Sequence, residues 1–486
     1  MSGLWHKLAL EPVTAVLMLP LAAAALLLLL PGYRLGARLN VAMALATFLA
    51  ALGLLLQRPA VGGYLFVDDL NVVFVVLATF VGFTTSAFSA SYIAHELSIG
   101  RLSPRYLRFY HAMYQILMFA MNLALLANNI GLMWVAIELA TLTTVAMVGI
   151  YRTHEALEAA WKYFILGSVG IALALFGTIL VYVAARPVVG EGQDAMVWTT
   201  LIDQAARFSP ELMNVAFIFL MLGYGTKVGL APLHAWLPDA HAEGPTPISA
   251  VLSGLLLNVA LYAVLRFKML LATNPAAIAP GPLMMTMGLI SVVFAAFMLF
   301  RRRDIKRLFA YSSIEHMGIV TFAFGIGGAL ANFAGLLHMS MHSLTKSAIF
   351  FAVGHIAQAK GTQRLGAIRG LTESHPVLGW GLVLGVVAIA GLPPLGIFMS
   401  EFLIVSSTFA RAPWLAIVLG LGLLLALGAL MLRLSELAFG HPTGSTAPVK
   451  ASYLPLYAHL ALVLVAGLYL PQSLVTWLQS VARLLG

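Results

Sequence analysis

Apolar runs long enough to cross a membrane recur along almost the whole sequence, and this limits the fold more than any other feature. A hydrocarbon core about 30 Å thick takes roughly 20 helical residues. About 14 segments approach or exceed that length: 12–31, 40–57, 70–94, 109–127, 130–150, 160–184, 212–237, 246–268, 282–300, 308–327, 331–357, 377–409, 413–439 and 453–476. The 486 residues are 61% hydrophobic and 9% charged, whereas soluble domains carry about 25% charged residues. The expected fold is therefore an all-α integral membrane protein, a single polytopic domain over 1–486. The apolar stretch Leu10 to Leu30 has no small-residue cleavage site leading into a soluble domain, so it reads as the first span. The longest outward loop, about 185–211, carries Glu191, Asp194 and Asp203 and is a connector.

The net charge of +9 follows from topology. One set of alternate loops, with "RRRDIKR" among them, holds 16 of the 27 Lys and Arg residues; the other set, with both termini, holds eight. Basic loops stay cytoplasmic, which puts both termini outside a cytoplasmic (inner) membrane. No nucleic-acid partner is needed to explain the excess. There is no cysteine, which excludes thiolate-held iron–sulfur clusters in this chain. P-loop, GxGxxG and HExxH motifs are also missing. No cofactor is expected here, and any redox or nucleotide chemistry belongs to partners.

Two spans are interrupted in similar ways. "KVGLAPLHAWLPDA" carries Pro232 and Pro238, and "AIAGLPPLGIFMSE" carries Pro393 and Pro394. Proline removes a helix hydrogen bond and leaves carbonyls that need buried partners or water. Broken helices at matching points of two halves point to an internal repeat; ordinary proline kinks give the same pattern. The charges do not align, because Lys227 precedes its break and Glu401 follows its own.

Ionisable groups inside the apolar runs need a reason, since one charge at mid-bilayer costs at least about 2.5–3.5 kcal/mol on insertion scales. The candidates are Glu138, Lys162, Lys227, His338, His342, Lys346 and Glu401, with His234 and His316 at less defined depth. His338, His342 and Lys346 recur every fourth residue and form one stripe on a helix. Burial disfavours either charged form and an opposite charge restores it. A Glu–Lys pair is thus toggled by a proton arriving beside it, and imidazoles titrate near neutrality unaided. This is the chemistry of a proton relay. Glu138 with Lys162 also fits a structural ion pair, and Lys162 lies close enough to a span end to snorkel. His338 and His342 have metal-ligand spacing, but no acidic or sulfur ligand lies near them in sequence and Lys346 extends the stripe. No metal site is expected.

The stretches "KVGLAPLHAWLPDAHAEGPTPISAVLSGLLLNVALYAVLRF" and "RRRDIKRLFAYSSIEHMGI" resemble the antiporter-like subunits of respiratory complex I, membrane-bound hydrogenases and multisubunit cation/proton antiporters. The resemblance covers about residues 60–440. "AYSSIEHMG" and "NFAGLLHMSMHSLTKSAIFFAVGH" look most like the F component of hydrogenase-4, a nickel–iron hydrogenase complex. The resemblance implies about 14 transmembrane helices with two inverted five-helix repeats, about 109–268 and 282–439, each containing a broken helix. It implies that Glu138 and Lys227 form an input-side pair, that His338, His342 and Lys346 form a central relay, and that Glu401 takes the exit position. Asn258 stands where some relatives carry a lysine. The chain ends soon after its last span, without the long lateral helix of the most distal complex I subunit. The implied role is a proton-translocating subunit with no redox chemistry of its own. Its implied partners are other antiporter-like and small membrane subunits, together with redox subunits carrying nickel–iron and iron–sulfur centres. The alternative is a subunit of a Na⁺/H⁺ antiporter complex without redox partners.

Overall fold

The computed structural model describes residues 11–30, 32–448 and 450–486. Leu10, and Lys7 of the outward basic set, lie outside the described residues. The helices of eight or more residues are α1 (Pro12–Leu29), α2 (Tyr33–Leu56), α3 (Asp69–Ser98), α4 (Pro104–Leu126), α5 (Ile130–Val148), α6 (His154–Val189), α7 (Pro210–Val228), α8 (Trp236–Glu243) and α9 (Thr246–Ala272). They continue with α10 (Gly281–Phe300), α11 (Ile305–Ile326), α12 (Gly328–Lys360), α13 (Pro376–Ile389), α14 (Gly396–Arg411), α15 (Pro413–Ala438), α16 (Leu454–Leu468) and α17 (Gln472–Leu484). A π-helical segment, Leu252–Leu256, interrupts α9. Extended pairing among the described residues is limited to isolated bridges, such as Asp304 with Arg364 between two loops.

Each of the 14 apolar runs falls on a helix or a broken pair. Among the described residues ten helices are long and apolar enough to cross a membrane, and the pair α16–α17, bent by 83°, makes up to eleven. The other three runs are α11, α12 and the pair α13–α14. The first two carry polar and ionisable side chains that lower their mean hydropathy, and the third is cut into pieces of 14 and 16 residues. The helices that look least like membrane spans are therefore the ones that carry His316, the His338–His342–Lys346 stripe and Glu401.

Local signals set the short hinges. The Asn129 side chain accepts from the backbone of Gly131 and Leu132, starting α5 three residues after α4 stops. Asp68 and Asn71 form a reciprocal capping box at α3. Proline opens α4, α7, α13 and α15, where its missing N–H costs nothing. α10 and α11 pack almost backbone to backbone: a β-carbon on Gly288 would lie 2.6 Å from the Gly318 oxygen. Small residues allow such close approach in a membrane, where apolar burial alone does not drive association.

The most apolar stretch of α9 is wholly buried, and nearly all of α11 and most of α12 are buried too. Their polar groups thus face protein and internal space rather than lipid. On the face opposite the "RRRDIKR" loop, Arg266 meets both carboxylate oxygens of Asp68 at 2.8 Å, while its Nε donates to the Tyr262 hydroxyl. Phe66, Trp198 and Tyr262 enclose the guanidinium. This ion pair lies apart from the candidate site. Arg266→Ala is expected to strand Asp68 and to cost on the order of 3 kcal/mol, read as a lowered thermal midpoint in detergent. An unchanged midpoint would show that the pair does not hold α9 to the start of α3.

Candidate functional site

The first break follows α7. Gly229, at φ 82°, closes the helix, and Ala231 N–H donates to Ser291 Oγ on α10. The Thr226 carbonyl accepts from the Gly229 N–H at 3.2 Å and from the Trp236 indole at 2.8 Å, so the first residue of α8 ties back to the end of α7. Lys227, the next-to-last residue of α7, is buried, and its Nζ has no protein hydrogen-bond partner. It lies 5.6 Å from the centre of the Tyr163 ring, which stacks on Trp236 at 4.2 Å. A β-carbon on Gly167 would lie 2.7 Å from Nζ, so a bare position on α6 makes room for the ammonium. Glu138 on α5 also keeps one carboxylate oxygen buried and unpartnered. His234, within the break, packs against Phe294 and Tyr311.

The centre is the α11–α12 interface. His338, His342 and Lys346 are fully buried. Lys346 Nζ donates to the Phe309 carbonyl at 2.8 Å, while neither ring nitrogen of His342 finds a protein partner. His316 Nδ1 lies 2.9 Å from His338 Nε2, and the His316 ring centre is 5.5 Å from that of His342. The stripe read along α12 is thus joined from α11. Asn258 ties α9 to α12, donating to Ser343 Oγ at 2.7 Å and to the Met339 carbonyl at 3.2 Å.

The second break, between α13 and α14, ends beside Glu401. Gly391 has φ 66°, and a β-carbon there would collide with the Glu401 carboxylate. Ser400 Oγ donates to the Ile397 carbonyl at 2.8 Å and stands 2.9 Å from His338 Nδ1. With its proton committed to Ile397, the hydroxyl accepts from His338 Nδ1–H. That leaves His338 Nε2 as a bare lone pair facing His316. Glu401 Oε1 lies 3.9 Å from His316 Nδ1. Glu401 and Glu315 line one cavity of about 240 Å³ between α11, α13, α14 and α15.

Lys162 lies apart from this set. It is half-exposed and pairs with Glu158 at 2.6 Å and Asp239 at 3.2 Å. The partner suggested for it in sequence, Glu138, is not the one it meets. Arg307 joins the same surface network through Asp239 and Glu243. Lys162 starts from the first third of α6, and its long stem reaches the mouth of α8, which fits the snorkelling alternative better than a buried relay position. Two further groups escape a reading of the sequence. Glu315 is buried with an unpartnered oxygen, and His241 is buried with both ring nitrogens unpartnered, its ring stacked on Phe350. Both stand in the stretches that carry the resemblance, as the acid beside His316 and the histidine closing "PDAH".

Residues 127–426 match the family described as NADH:quinone oxidoreductase/Mrp antiporter, transmembrane. The chain belongs to this family. It is 63% identical over 471 residues to the hydrogenase-4 component F homolog of Methylacidiphilum infernorum, covering 97% of this chain and 99% of that one. A chain of respiratory complex I from Thermus thermophilus with bound NADH superposes with a TM-score of 0.81 at 25% identity, over 98% of this chain and 100% of the other. A chain of the Mrp complex from Dietzia sp. DQ12-45-1b gives 0.83 at 18% identity, over 98% and 97%, a likeness of fold. The protein is thus a multi-pass, antiporter-like membrane subunit of the complex I family, and its relatives are subunits of multisubunit membrane complexes.

In this antiporter-like subunit Gly391 has two jobs, a left-handed backbone and space for Glu401. Gly391→Ala is expected to cost about 1–2 kcal/mol from the backbone alone and to push the carboxylate aside. Gly428→Ala, whose β-carbon would meet nothing within 4 Å, is the control. Thermal unfolding of both variants in detergent should separate them, and equal midpoints would remove the close fit at Glu401.

Proposed function

We propose that this subunit carries protons across the membrane through Lys227, the His338–His342–Lys346 stripe with His316, and Glu401. The observation that carries the reading is a chain of buried ionisable groups running between two broken helices. Along it Lys227 Nζ, both nitrogens of His342, His316 Nε2 and one oxygen each of Glu138 and Glu315 have no protein partner. Groups left in that condition are served by water and by protons in transit. Protons would enter from the cytoplasmic side near Lys227 and leave near Glu401, with Glu138 tuning the lysine. The two broken helices mark two five-helix repeats, about 109–268 and 282–439. In each repeat the third helix is the longest and the fourth is broken.

The 63% identity to a hydrogenase-4 component F homolog favours a complex of hydrogenase-4 type in a cytoplasmic membrane, with both termini outside. Partner subunits would carry the nickel–iron and iron–sulfur centres. The likeness to an Mrp complex chain supports the second reading, cation/proton exchange without redox partners.

Mass spectrometry of the companions purified with the tagged protein tests the assignment. A nickel–iron hydrogenase-like large subunit with iron–sulfur proteins is expected. Small membrane subunits alone, with sodium-dependent flux, would favour exchange. In membrane vesicles Lys227→Ala and Glu138→Gln are expected to lose most proton transport with the complex still assembled, while Lys162→Ala keeps at least half of it. Full transport in Lys227→Ala would overturn the relay.

A further inference from the structure

We propose that His316, His338 and Glu401 form a binding site for a divalent transition-metal ion of the zinc type, brought together from α11, α12 and α14. One ligand atom from each lies within 4.8 Å of the other two. Two ligands on a tetrahedral zinc at about 2.0–2.1 Å stand about 3.4 Å apart. The 2.9 Å between His316 Nδ1 and His338 Nε2 therefore needs to open by only a few tenths of an ångström. The Glu401 oxygen, 3.9 Å from His316 Nδ1, needs a small side-chain rotation.

The supporting groups are also in place. Ser400 accepts from His338 Nδ1–H, and that fixes the bare nitrogen toward His316, as an outer hydrogen-bond partner does for a metal-bound imidazole. His316 presents Nδ1 as a ligand when its ring proton sits on Nε2, which no protein group occupies. Glu401 and Glu315 line one cavity, and a divalent ion bound there would favour the ionised form of both carboxyls. Exposed Phe402 and Leu424 line the same cavity, so it opens from Glu401 toward the subunit's surface between α14 and α15. The expectation of no metal considered only ligands close in sequence; here the three are carried by separate helices.

An ion held there would clamp the imidazole pair to Glu401, and in the proposed relay it would block the step next to the exit. That consequence rests on the proton-relay reading; the site itself does not. The test is equilibrium dialysis of zinc alone against the purified protein, with X-ray absorption at the zinc edge. Wild type is expected to bind one equivalent more than His338→Ala, with nitrogen and oxygen ligands only, and Glu401→Gln to bind it more weakly. Ser400→Ala should lose roughly 10- to 100-fold in affinity. Unchanged elution and thermal midpoints would show that each variant is folded. Equal zinc stoichiometry in wild type and folded His338→Ala would overturn the site. Proton transport in vesicles separates the two ideas: zinc bound without inhibition upholds the site and counts against the relay, whereas transport lost in His338→Ala without any zinc difference does the reverse.

Discussion

A helix that stops in the middle of a membrane must find partners for every backbone group it releases, because lipid offers none. Two helices of this protein stop in that way, and much of the surrounding structure answers the demand. Trp236 reaches back to Thr226, Ser291 takes the Ala231 N–H, and Lys306 donates to the Ala242 and Gly244 carbonyls at the far end of α8. Lys227 sits in the last turn of α7, where the helix dipole favours a cation. Glu401 is the sixth residue of α14, beyond its first turn, so the dipole does not account for the acid there.

The density of unpartnered polar atoms sets a limit on how dry the interior is. Leaving a buried donor or acceptor unpaired costs about 1–3 kcal/mol. Glu315 Oε2, His316 Nε2, both nitrogens of His342, Thr345 Oγ1 and Ser347 Oγ all lie on α11 or α12. Unrelieved, they would cost about as much as the whole stability of an ordinary domain, about 5–15 kcal/mol. Water inside the bundle would remove that cost, and in the proposed relay it would also supply the links between groups that do not touch. Neighbouring helices bury the most apolar stretch of α9, nearly all of α11 and most of α12, so these groups face protein and internal space.

The helices, both breaks and the stripe on α12 are legible in the sequence because each is written in local spacing: apolar length, proline and a four-residue repeat. Contacts between helices are not written that way. His316 is visible as a residue, but its 2.9 Å approach to His338 depends on how α11 lies against α12. Glu315 is easily passed over beside it, although "IEHMG" places an acid in an apolar run as plainly as Glu138 is placed in its own. Lys162 groups with the buried charges in sequence because distance along the chain does not reveal which way a side chain turns; Asp239, 77 residues later, takes it. The glycines at 167 and 391 carry no signal of their own, since what they leave room for comes from another element.

Asn258 shows how far the proposed route depends on arrangement rather than on residue type. An amide there carries no proton as a lysine would. Its side chain instead fastens α9 to α12 through Ser343 and the Met339 carbonyl, immediately after the π-helical turn at 252–256. That turn brings the Gly254 carbonyl within reach of Ser343 Oγ, and a β-carbon on Gly254 would press on Ser347. The contact between α9 and α12 is therefore bordered by hydroxyls and an amide held in register. In the proposed route a proton would cross here on water, which the amide and the hydroxyls can hydrogen-bond without themselves storing the proton as a lysine would.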